Sequence, residues 1–202
     1  MNLPNKLTVF RIILVPIMVI IPFLNIQGEL FSIPISWIIM DAIFIIASIT
    51  DKLDGSIARK NNQITAFGKF LDPIADKILV LAAMIILVET EKLPGWIPII
   101  VLFREFAVSG YRLIAVEQGG KVIAASKWGK IKTVTQMIAI IMMFLDKYAF
   151  FEFVKNTSTN SMGTFPMIFN ILTSIIMLLS VIATVFSGYE YLKGGKEFLK
   201  DM

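Results

Sequence analysis

The 202-residue sequence contains no cysteine and no histidine. The absence of cysteine excludes a disulfide framework, a thiolate zinc site and a cysteine nucleophile. The absence of histidine removes the commonest general base and a frequent transition-metal ligand. Any chemistry in this chain must therefore depend on carboxylates, amines, hydroxyls and hard cations.

Charged residues are also scarce, at 17% of the chain, whereas hydrophobic residues make up 56% and the mean hydropathy is +0.78. Soluble domains are usually about 45–50% apolar, so this excess indicates a membrane protein. A chain of this length forms one domain, and we expect residues 1–202 to be a single transmembrane catalytic domain.

The formal net charge of +4 and the pI near 9.3 suit contact with anionic lipid or with a phosphorylated substrate. A nucleic-acid partner is disfavoured, because the basic residues are dispersed between apolar stretches and do not form a basic domain.

Six mostly apolar segments approach the length of about 20 residues that a membrane-spanning helix needs. Polar and turn-forming residues separate these segments. No small-residue cleavage site follows the first one, so we interpret it as a retained helix and not as a signal peptide. The predicted fold is therefore an all-α, polytopic membrane bundle. Its spans cover roughly residues 7–25, 34–58, 69–89, 95–117, 126–146 and 166–188.

Lysine and arginine are distributed unequally between alternate loops. If both termini are cytoplasmic, 16 of the 19 basic residues lie at cytoplasmic ends, and only Lys92, Lys147 and Lys155 lie outside. Because basic residues are enriched in cytoplasmic loops, this distribution predicts six spans with both termini inside. We expect a multi-pass protein of the cytoplasmic membrane.

Four aspartates, Asp51, Asp54, Asp72 and Asp76, border the second and third spans at the predicted cytoplasmic side. An unpaired aspartate at the centre of a span costs roughly 2.5–3.5 kcal/mol, so four of them require compensation. The first two and the last two are spaced so that each pair shares one helix face. A short connection makes the two helices antiparallel neighbours, and the four carboxylates are predicted to converge in one pocket.

Carboxylates this close cannot all stay ionised in a low dielectric without a counter-ion. Oxygen ligands without histidine or cysteine select hard divalent cations such as Mg²⁺, Mn²⁺ or Ca²⁺. Four carboxylates suffice for two metal ions about 3.5–4 Å apart, an arrangement used in phosphoryl displacement. The alternative is helix capping, which Asp72 followed by Pro73 would allow. Four aspartates at this spacing favour the metal site, with two ions of Mg²⁺ or Mn²⁺.

This spacing resembles the signature of the CDP-alcohol phosphatidyltransferases. The resemblance implies a six-helix membrane core, a homodimer and transfer of a phosphatidyl group from CDP-diacylglycerol to an alcohol. It implies that the four aspartates bind metal, that Asp76 is also the general base, and that the CDP site includes Asp54. The glycine and alanine positions would let a nucleotide approach the backbone closely. The remaining implied CDP-site residues are Gly55, Ala58, Arg59 and Gly68. The match covers every defined position of Asp51-x2-Asp54-Gly55-x2-Ala58-Arg59-x8-Gly68-x3-Asp72-x3-Asp76.

Basic residues near the cytoplasmic ends of the fourth and fifth spans bear on the acceptor alcohol. Arginine and lysine bind phosphate monoesters, whereas a neutral acceptor would not require such a cluster. Lys132 is expected to be a bystander, because it points about 140° away from Lys127 on an ideal helix. Glu105 is expected to pair with a nearby Arg or Lys. Membrane anchoring of the basic residues is the competing interpretation. The predicted phosphate-binding residues are Arg104, Arg112, Lys127 and Lys130.

The stretches "FREFAVSGYR", "ASKWGKIKT" and "LPNKLTVFRI" resemble the branch of this family that uses glycerol 3-phosphate as acceptor. The resemblance implies phosphatidylglycerophosphate and CMP as products, with the four basic residues at the glycerol phosphate. It also implies that Asn5, Thr8 and Arg11 border the same polar cavity. Phosphatidylglycerol, the acceptor of a cardiolipin synthase, and inositol phosphate are the alternatives within the family. The basic cluster disfavours the first alternative but not the second.

A cation transporter is the alternative outside the enzymes, because intramembrane aspartates can mark an ion pathway. A transporter would place acidic residues near the bilayer midplane, with broken helices. Here the four aspartates lie at one face, beside Arg and Lys residues that would repel a cation. One further acidic residue, Asp41, lies alone within the second span, and the sequence predicts no partner for it.

Overall fold

The computed structural model describes residues 2–60, 66–117, 127–159 and 162–194. Helices make up most of this part of the chain. Within the helices, some side chains lie outside the description, namely those of residues 3–4, 52–60, 66–67, 69–70, 72, 113–117, 156–159 and 194. The helices are α1 (Leu3–Ile20), α2 (Ile35–Lys60), α3 (Ala66–Glu89), α4 (Trp96–Glu117), α5 (Lys127–Leu145), α6 (Glu152–Thr159) and α7 (Thr164–Gly194).

Each of the six apolar segments of the sequence corresponds to one long helix, α1 to α5 and α7. Three helical stretches among the described residues are long and apolar enough to cross a membrane: Asn5–Leu24, Lys127–Leu145 and Thr164–Lys193. The first of these includes a 3₁₀ turn, Ile21–Leu24, that continues α1. The protein is thus mostly helical, with helices of membrane-spanning length.

A two-stranded hairpin lies in the connection between α1 and α2. Strands β1 (Glu29–Leu30) and β2 (Ile33–Pro34) pair antiparallel. The two residues that join them, Phe31 and Ser32, have φ of 53° and 62°, as a hairpin turn of type I′ requires. Such a turn normally contains Asn or Gly, which explains why the sequence did not predict it.

Helix α6 was not predicted either, because its residues are polar and were assigned to the loop before the last span. Side chains of α7 accept hydrogen bonds from backbone amides at the start of α6. The Phe151 amide donates to Ser174 Oγ at 2.9 Å, and the Phe153 amide donates to Asn170 Oδ1 at 3.0 Å. These bonds satisfy amides that a helix start leaves without intrahelical partners. Tertiary contacts, and not local propensity, therefore determine this helix.

The chain divides into two compact units, which are described separately. The first unit contains Met1–Lys92 and Ile141–Ala149, and the second contains Leu93–Ile140 and Phe150–Met202. In the first unit, α1 packs against α2 and α3. Small residues on the facing helices, among them Ala47 of α2 and Ala75 of α3, are completely buried. Small side chains at such positions let membrane helices approach closely.

At one end of the first unit, Lys92 joins three segments of the chain. Its ammonium group donates to the carbonyl oxygen of Met143 at 2.8 Å and to that of Asp146. It also lies 3.3 Å from the centroid of the Trp37 ring, in a cation–π contact. Lys92 lies between α3 and α4 and is buried. Burial lowers its pKa from 10.5 to about 7, although attraction to Asp146 opposes the shift.

In the second unit, α4 packs against α7. Val108 and Tyr111 of α4 form a buried cluster with Tyr191 of α7. The buried hydroxyl groups of Thr173, Ser180 and Thr184 donate hydrogen bonds to the backbone of α7 itself, and the bond from Ser180 Oγ to the Met177 carbonyl is 2.8 Å long. Large apolar side chains face outward instead, including Ile99, Phe103 and Phe106 of α4 and Ile168 and Phe165 of α7. An apolar exterior with polar groups satisfied inside is typical of a membrane protein.

Candidate active site

An ion pair joins α1 to α2 at the first of the four signature aspartates. Arg11 Nη1 lies 2.7 Å from Asp51 Oδ1, with the arginine side chain 0% exposed and the aspartate side chain 34% exposed. The arginine is buried because α1 packs against α2 and α3, and a buried guanidinium requires an anionic partner. Asp51 therefore has a fixed positive neighbour, and its other edge reaches solvent.

Arg11 continues a polar stripe along α1. Asn5, Thr8 and Arg11 follow one another at intervals of three residues, which places them on one helix face, and all three are buried. The helix begins just before this stripe, where the side chain of Asn2 accepts a hydrogen bond from the Asn5 amide at 3.3 Å. The structure thus places all three residues in the interior of the first unit. Their contribution to a substrate cavity stays a prediction.

The other signature positions are described to different degrees. On α3, Gly68 is buried and Asp76 is half-buried. Asp54, Gly55, Ala58 and Arg59 belong to α2 and Asp72 to α3, but their side chains lie outside the described residues. The convergence of the four carboxylates therefore stays a prediction.

Among the described side chains, no group of three or more His, Cys, Asp or Glu residues is close enough to hold a metal ion. Only Asp51 and Asp76 of the four signature aspartates belong to that set. The available donors are carboxylate oxygens alone, because the chain has no histidine or cysteine. Such a donor set fits a hard divalent cation such as Mg²⁺.

A second charged cluster lies in the second unit, where one carboxylate oxygen contacts two cations. Arg104 Nη1 donates to Glu105 Oε1 at 2.7 Å, and Lys132 Nζ donates to the same oxygen at 2.6 Å. Arg104 also donates through Nη2 to Ser187 Oγ at 2.6 Å. The predicted pairing of Glu105 with a nearby basic residue is confirmed. Lys132, the expected bystander, is the lysine that joins Arg104 at this carboxylate.

Both arginines of α4 contact one tyrosine of α7. Arg112 Nη2 donates to the Tyr191 hydroxyl at 2.7 Å. The guanidinium carbons of Arg112 and Arg104 lie 5.3 Å and 5.7 Å from the Tyr191 ring centroid. Distances below about 6 Å allow a cation–π attraction. Both arginines therefore have Tyr191 as a partner, and Ser187 also holds Arg104, whereas their role at a phosphate group stays a prediction.

The two remaining basic residues of the predicted phosphate site lie at the start of α5. Lys127 and Lys130 are exposed, and within the described part of the chain neither forms an ion pair. Trp128 between them stacks on Phe186 of α7, with ring centroids 5.1 Å apart. This contact fixes the first turn of α5 against α7. Nothing in these contacts separates phosphate binding from membrane anchoring for Lys127 and Lys130.

A groove of about 490 Å³ runs between α4 and α7 beside Arg104. Its walls are otherwise apolar and include Ile99, Phe103, Val185 and Leu192. Gly188 lines the groove next to Arg104, and a β-carbon at that position would lie 3.3 Å from Arg104 Cγ. The absence of a side chain at Gly188 therefore gives the arginine its room.

Comparison with known proteins identifies the family. Residues 1–186 match the family described as CDP-alcohol phosphatidyltransferase. Over 98% of its length, the chain is 43% identical to the CDP-diacylglycerol–glycerol-3-phosphate 3-phosphatidyltransferase of Bacillus subtilis (strain 168), covering 97% of that protein. Proteins of the same name from Haemophilus influenzae and Rickettsia felis are 37% and 32% identical. The matches cover 99% and 98% of this chain, and 96% and 97% of those proteins. This chain therefore belongs to the CDP-alcohol phosphatidyltransferase family.

Proposed function

We propose that this protein transfers the phosphatidyl group of CDP-diacylglycerol to glycerol 3-phosphate, forming phosphatidylglycerophosphate and releasing CMP. The observation that carries this proposal is the 43% identity, over 98% of the chain, to a relative whose name states that reaction. The cluster of Arg104, Lys132 and Arg112 supports it, because an acceptor that carries a phosphate monoester needs cationic ligands.

We infer six membrane spans, formed by α1 to α5 and α7, with both termini in the cytoplasm. Support comes from the correspondence of these helices with the six apolar segments and from the unequal distribution of basic residues. The active site then opens at the cytoplasmic face of the bacterial cytoplasmic membrane, where a water-soluble acceptor is available. The acyl chains of CDP-diacylglycerol stay in the lipid phase.

The CDP head group contacts the end of α2 and the start of α3 in this proposal. Asp54, Gly55, Ala58, Arg59 and Gly68 form its site, and the small residues among them allow close approach to the backbone. Burial of Gly68 supports this role, since a side chain there would enter the interior of the first unit.

We propose that the carboxylates of Asp51, Asp54, Asp72 and Asp76 hold two divalent metal ions, Mg²⁺ or Mn²⁺. When bound, such ions neutralise the diphosphate and the charge that develops on departing CMP. Arg11 holds the Asp51 carboxylate in place through its 2.7 Å contact.

The acceptor is bound through its phosphate by Arg104, Arg112, Lys127 and Lys130, and Asn5, Thr8 and Arg11 border the cavity. Asp76 accepts the proton of the primary hydroxyl group. The hydroxyl oxygen forms a bond to the phosphorus that carries diacylglycerol, and the bond from this phosphorus to CMP breaks. Residues 1–202 act as one transmembrane catalytic domain, and we propose a homodimer as the functional form.

The experiment that tests this function follows CMP release by the purified protein in detergent with CDP-diacylglycerol and Mg²⁺ or Mn²⁺. Glycerol 3-phosphate, inositol phosphate and phosphatidylglycerol are offered separately. We expect release with glycerol 3-phosphate only. Release with phosphatidylglycerol or inositol phosphate instead would agree with the family but would refute glycerol 3-phosphate as the acceptor. Chelation with EDTA should stop the reaction, and restoration by Mg²⁺ or Mn²⁺ checks the metal requirement.

A further inference from the structure

One carboxylate in the second unit neutralises two cations from different helices. Arg104 and Glu105 are adjacent on α4, whereas Lys132 reaches the same Glu105 oxygen from α5. The three side chains are only 12%, 15% and 10% exposed. Because both cationic nitrogens contact the one oxygen, they lie within about 5 Å of each other.

Two cations this close repel each other strongly when water is mostly excluded. Glu105 offsets this repulsion and leaves a net charge of +1 on the three groups. One cation would neutralise the charge of one carboxylate, so the second cation is in excess of what a structural ion pair needs. The second cation is the feature that calls for a further anion.

Arg104 and Lys132 keep N–H donors that have no acceptor among the described residues. A guanidinium has five N–H donors, and Glu105 and Ser187 accept two of those of Arg104. Arg104 Nε is buried and has no hydrogen-bond partner among the described residues. The Lys132 ammonium has three donors, of which Glu105 accepts one. A phosphate monoester, with a charge near −2 and three acceptor oxygens, matches this surplus of charge and donors.

We propose that Glu105 is a positioning residue that holds Arg104 and Lys132 together as a two-cation seat for the phosphate group of the acceptor. The proposal rests on the proposed function and adds Lys132 to the residues that contact the acceptor. Glu105 itself does not touch the substrate. Its effect is to keep two like charges at a separation at which both donate to one phosphate.

The test measures KM and kcat for glycerol 3-phosphate and for CDP-diacylglycerol in Glu105→Gln and Lys132→Met. Each variant should raise the KM for glycerol 3-phosphate about tenfold or more, because a charged partner of the phosphate is displaced or lost. The KM for CDP-diacylglycerol should stay within about twofold. Glu105→Asp and Lys132→Arg retain the charges and should recover part of the affinity.

The double variant separates positioning from an independent effect. If Glu105 acts through the cations, Glu105→Gln should add less than about twofold to the KM of Lys132→Met. Glu190→Gln is the matched control, since Glu190 is an exposed glutamate of the same unit. It removes the same charge and should leave both KM values unchanged. Thermal unfolding and gel filtration in detergent identify variants that do not fold, and for those the charge-retaining variants provide the measurement.

A lower KM for glycerol 3-phosphate in Glu105→Gln would overturn the proposal, because Glu105 would then only weaken the attraction for phosphate. Multiplicative effects in the double variant, or a fall in kcat alone, would overturn it too. The proposed function fails separately, if the wild-type protein uses inositol phosphate and not glycerol 3-phosphate. The same variants then test the seat with inositol phosphate. If no acceptor supports CMP release, both proposals are refuted.

Discussion

Two helical glycines offer a way to displace Arg104 without changing its charge. Gly188 of α7 faces the arginine, and a β-carbon there would lie 3.3 Å from Arg104 Cγ. At Gly110 of α4, no atom of the described residues lies within 4 Å of the corresponding position. Alanine is favoured over glycine by about 0.8–1.0 kcal/mol in a helix interior. Both Gly→Ala substitutions therefore gain helix propensity, but only Gly188→Ala adds a close contact with Arg104.

The expected changes in the free energy of unfolding follow from that contact. Gly110→Ala should stabilise the protein by about 0.5–1 kcal/mol. In Gly188→Ala the arginine stem must move by a few tenths of an ångström, which lengthens its bonds of 2.7 Å and 2.6 Å to Glu105 and Ser187. Much of the gain is then offset, and we expect a net change near zero. Gly188→Val adds two methyl groups beside Arg104 and should cost about 2–3 kcal/mol, since bonds to a charged group contribute about 1.5–3 kcal/mol each.

The assay is thermal unfolding of the three variants in one detergent, combined with the KM for glycerol 3-phosphate. A change of 1 kcal/mol corresponds to about 2–4 °C in Tm for a chain of this size. Gly110→Ala should raise Tm by a few degrees, and Gly188→Val should lower it by about 5 °C or more. Only Gly188→Val should raise the KM for glycerol 3-phosphate, because only it displaces Arg104.

Equal stabilisation by Gly188→Ala and Gly110→Ala would refute this reasoning, since Gly188 would then not limit the room beside the arginine. An unchanged KM in Gly188→Val together with the expected loss of Tm would separate the two parts of the prediction. Arg104 would then be fixed by Gly188 for stability alone, and its role at the acceptor phosphate would be wrong.

Three further predictions concern the first unit. Asp76→Asn should lower CMP release by about a hundredfold or more at unchanged Tm, as loss of a general base does; wild-type activity would refute the base. Arg11→Met should cost about 1–3 kcal/mol in thermal unfolding, less than the 3–5 kcal/mol of fully buried pairs because Asp51 is 34% exposed. Adding Asp51→Asn should recover part of that loss, and no recovery would contradict the pairing. Because burial lowers the pKa of Lys92 from 10.5 to about 7, the folded protein binds fewer protons than the unfolded chain between these values. The stability of the wild-type protein relative to Lys92→Met should therefore rise from pH 7 to pH 10.5, by at most about 1.4 kcal/mol per pH unit. A flat or falling difference in Tm would refute the shift.

The long helices could be predicted because apolar length alone determines them. The fourth and fifth predicted spans end within one residue of α4 (Trp96–Glu117) and α5 (Lys127–Leu145). The last span was predicted to end at residue 188, where apolar residues give way to polar ones, whereas α7 extends to Gly194. Tyr191 explains the difference, because its contacts with both arginines of α4 stabilise the added turn. Contacts between helices were not available from the sequence.

Helical periodicity separates Lys132 from Lys127 and predicts a bystander, whereas the structure places Lys132 in an ion pair with Glu105. The two earlier lysines are exposed and Lys132 is buried. A lysine that points away from the exposed face of a membrane helix points into the protein, where its charge needs an anionic partner. Glu105 was the acidic residue of the neighbouring span without a specified partner. Two buried charges of opposite sign on consecutive spans therefore indicate an ion pair between those spans, even where the rotation of either helix is unknown.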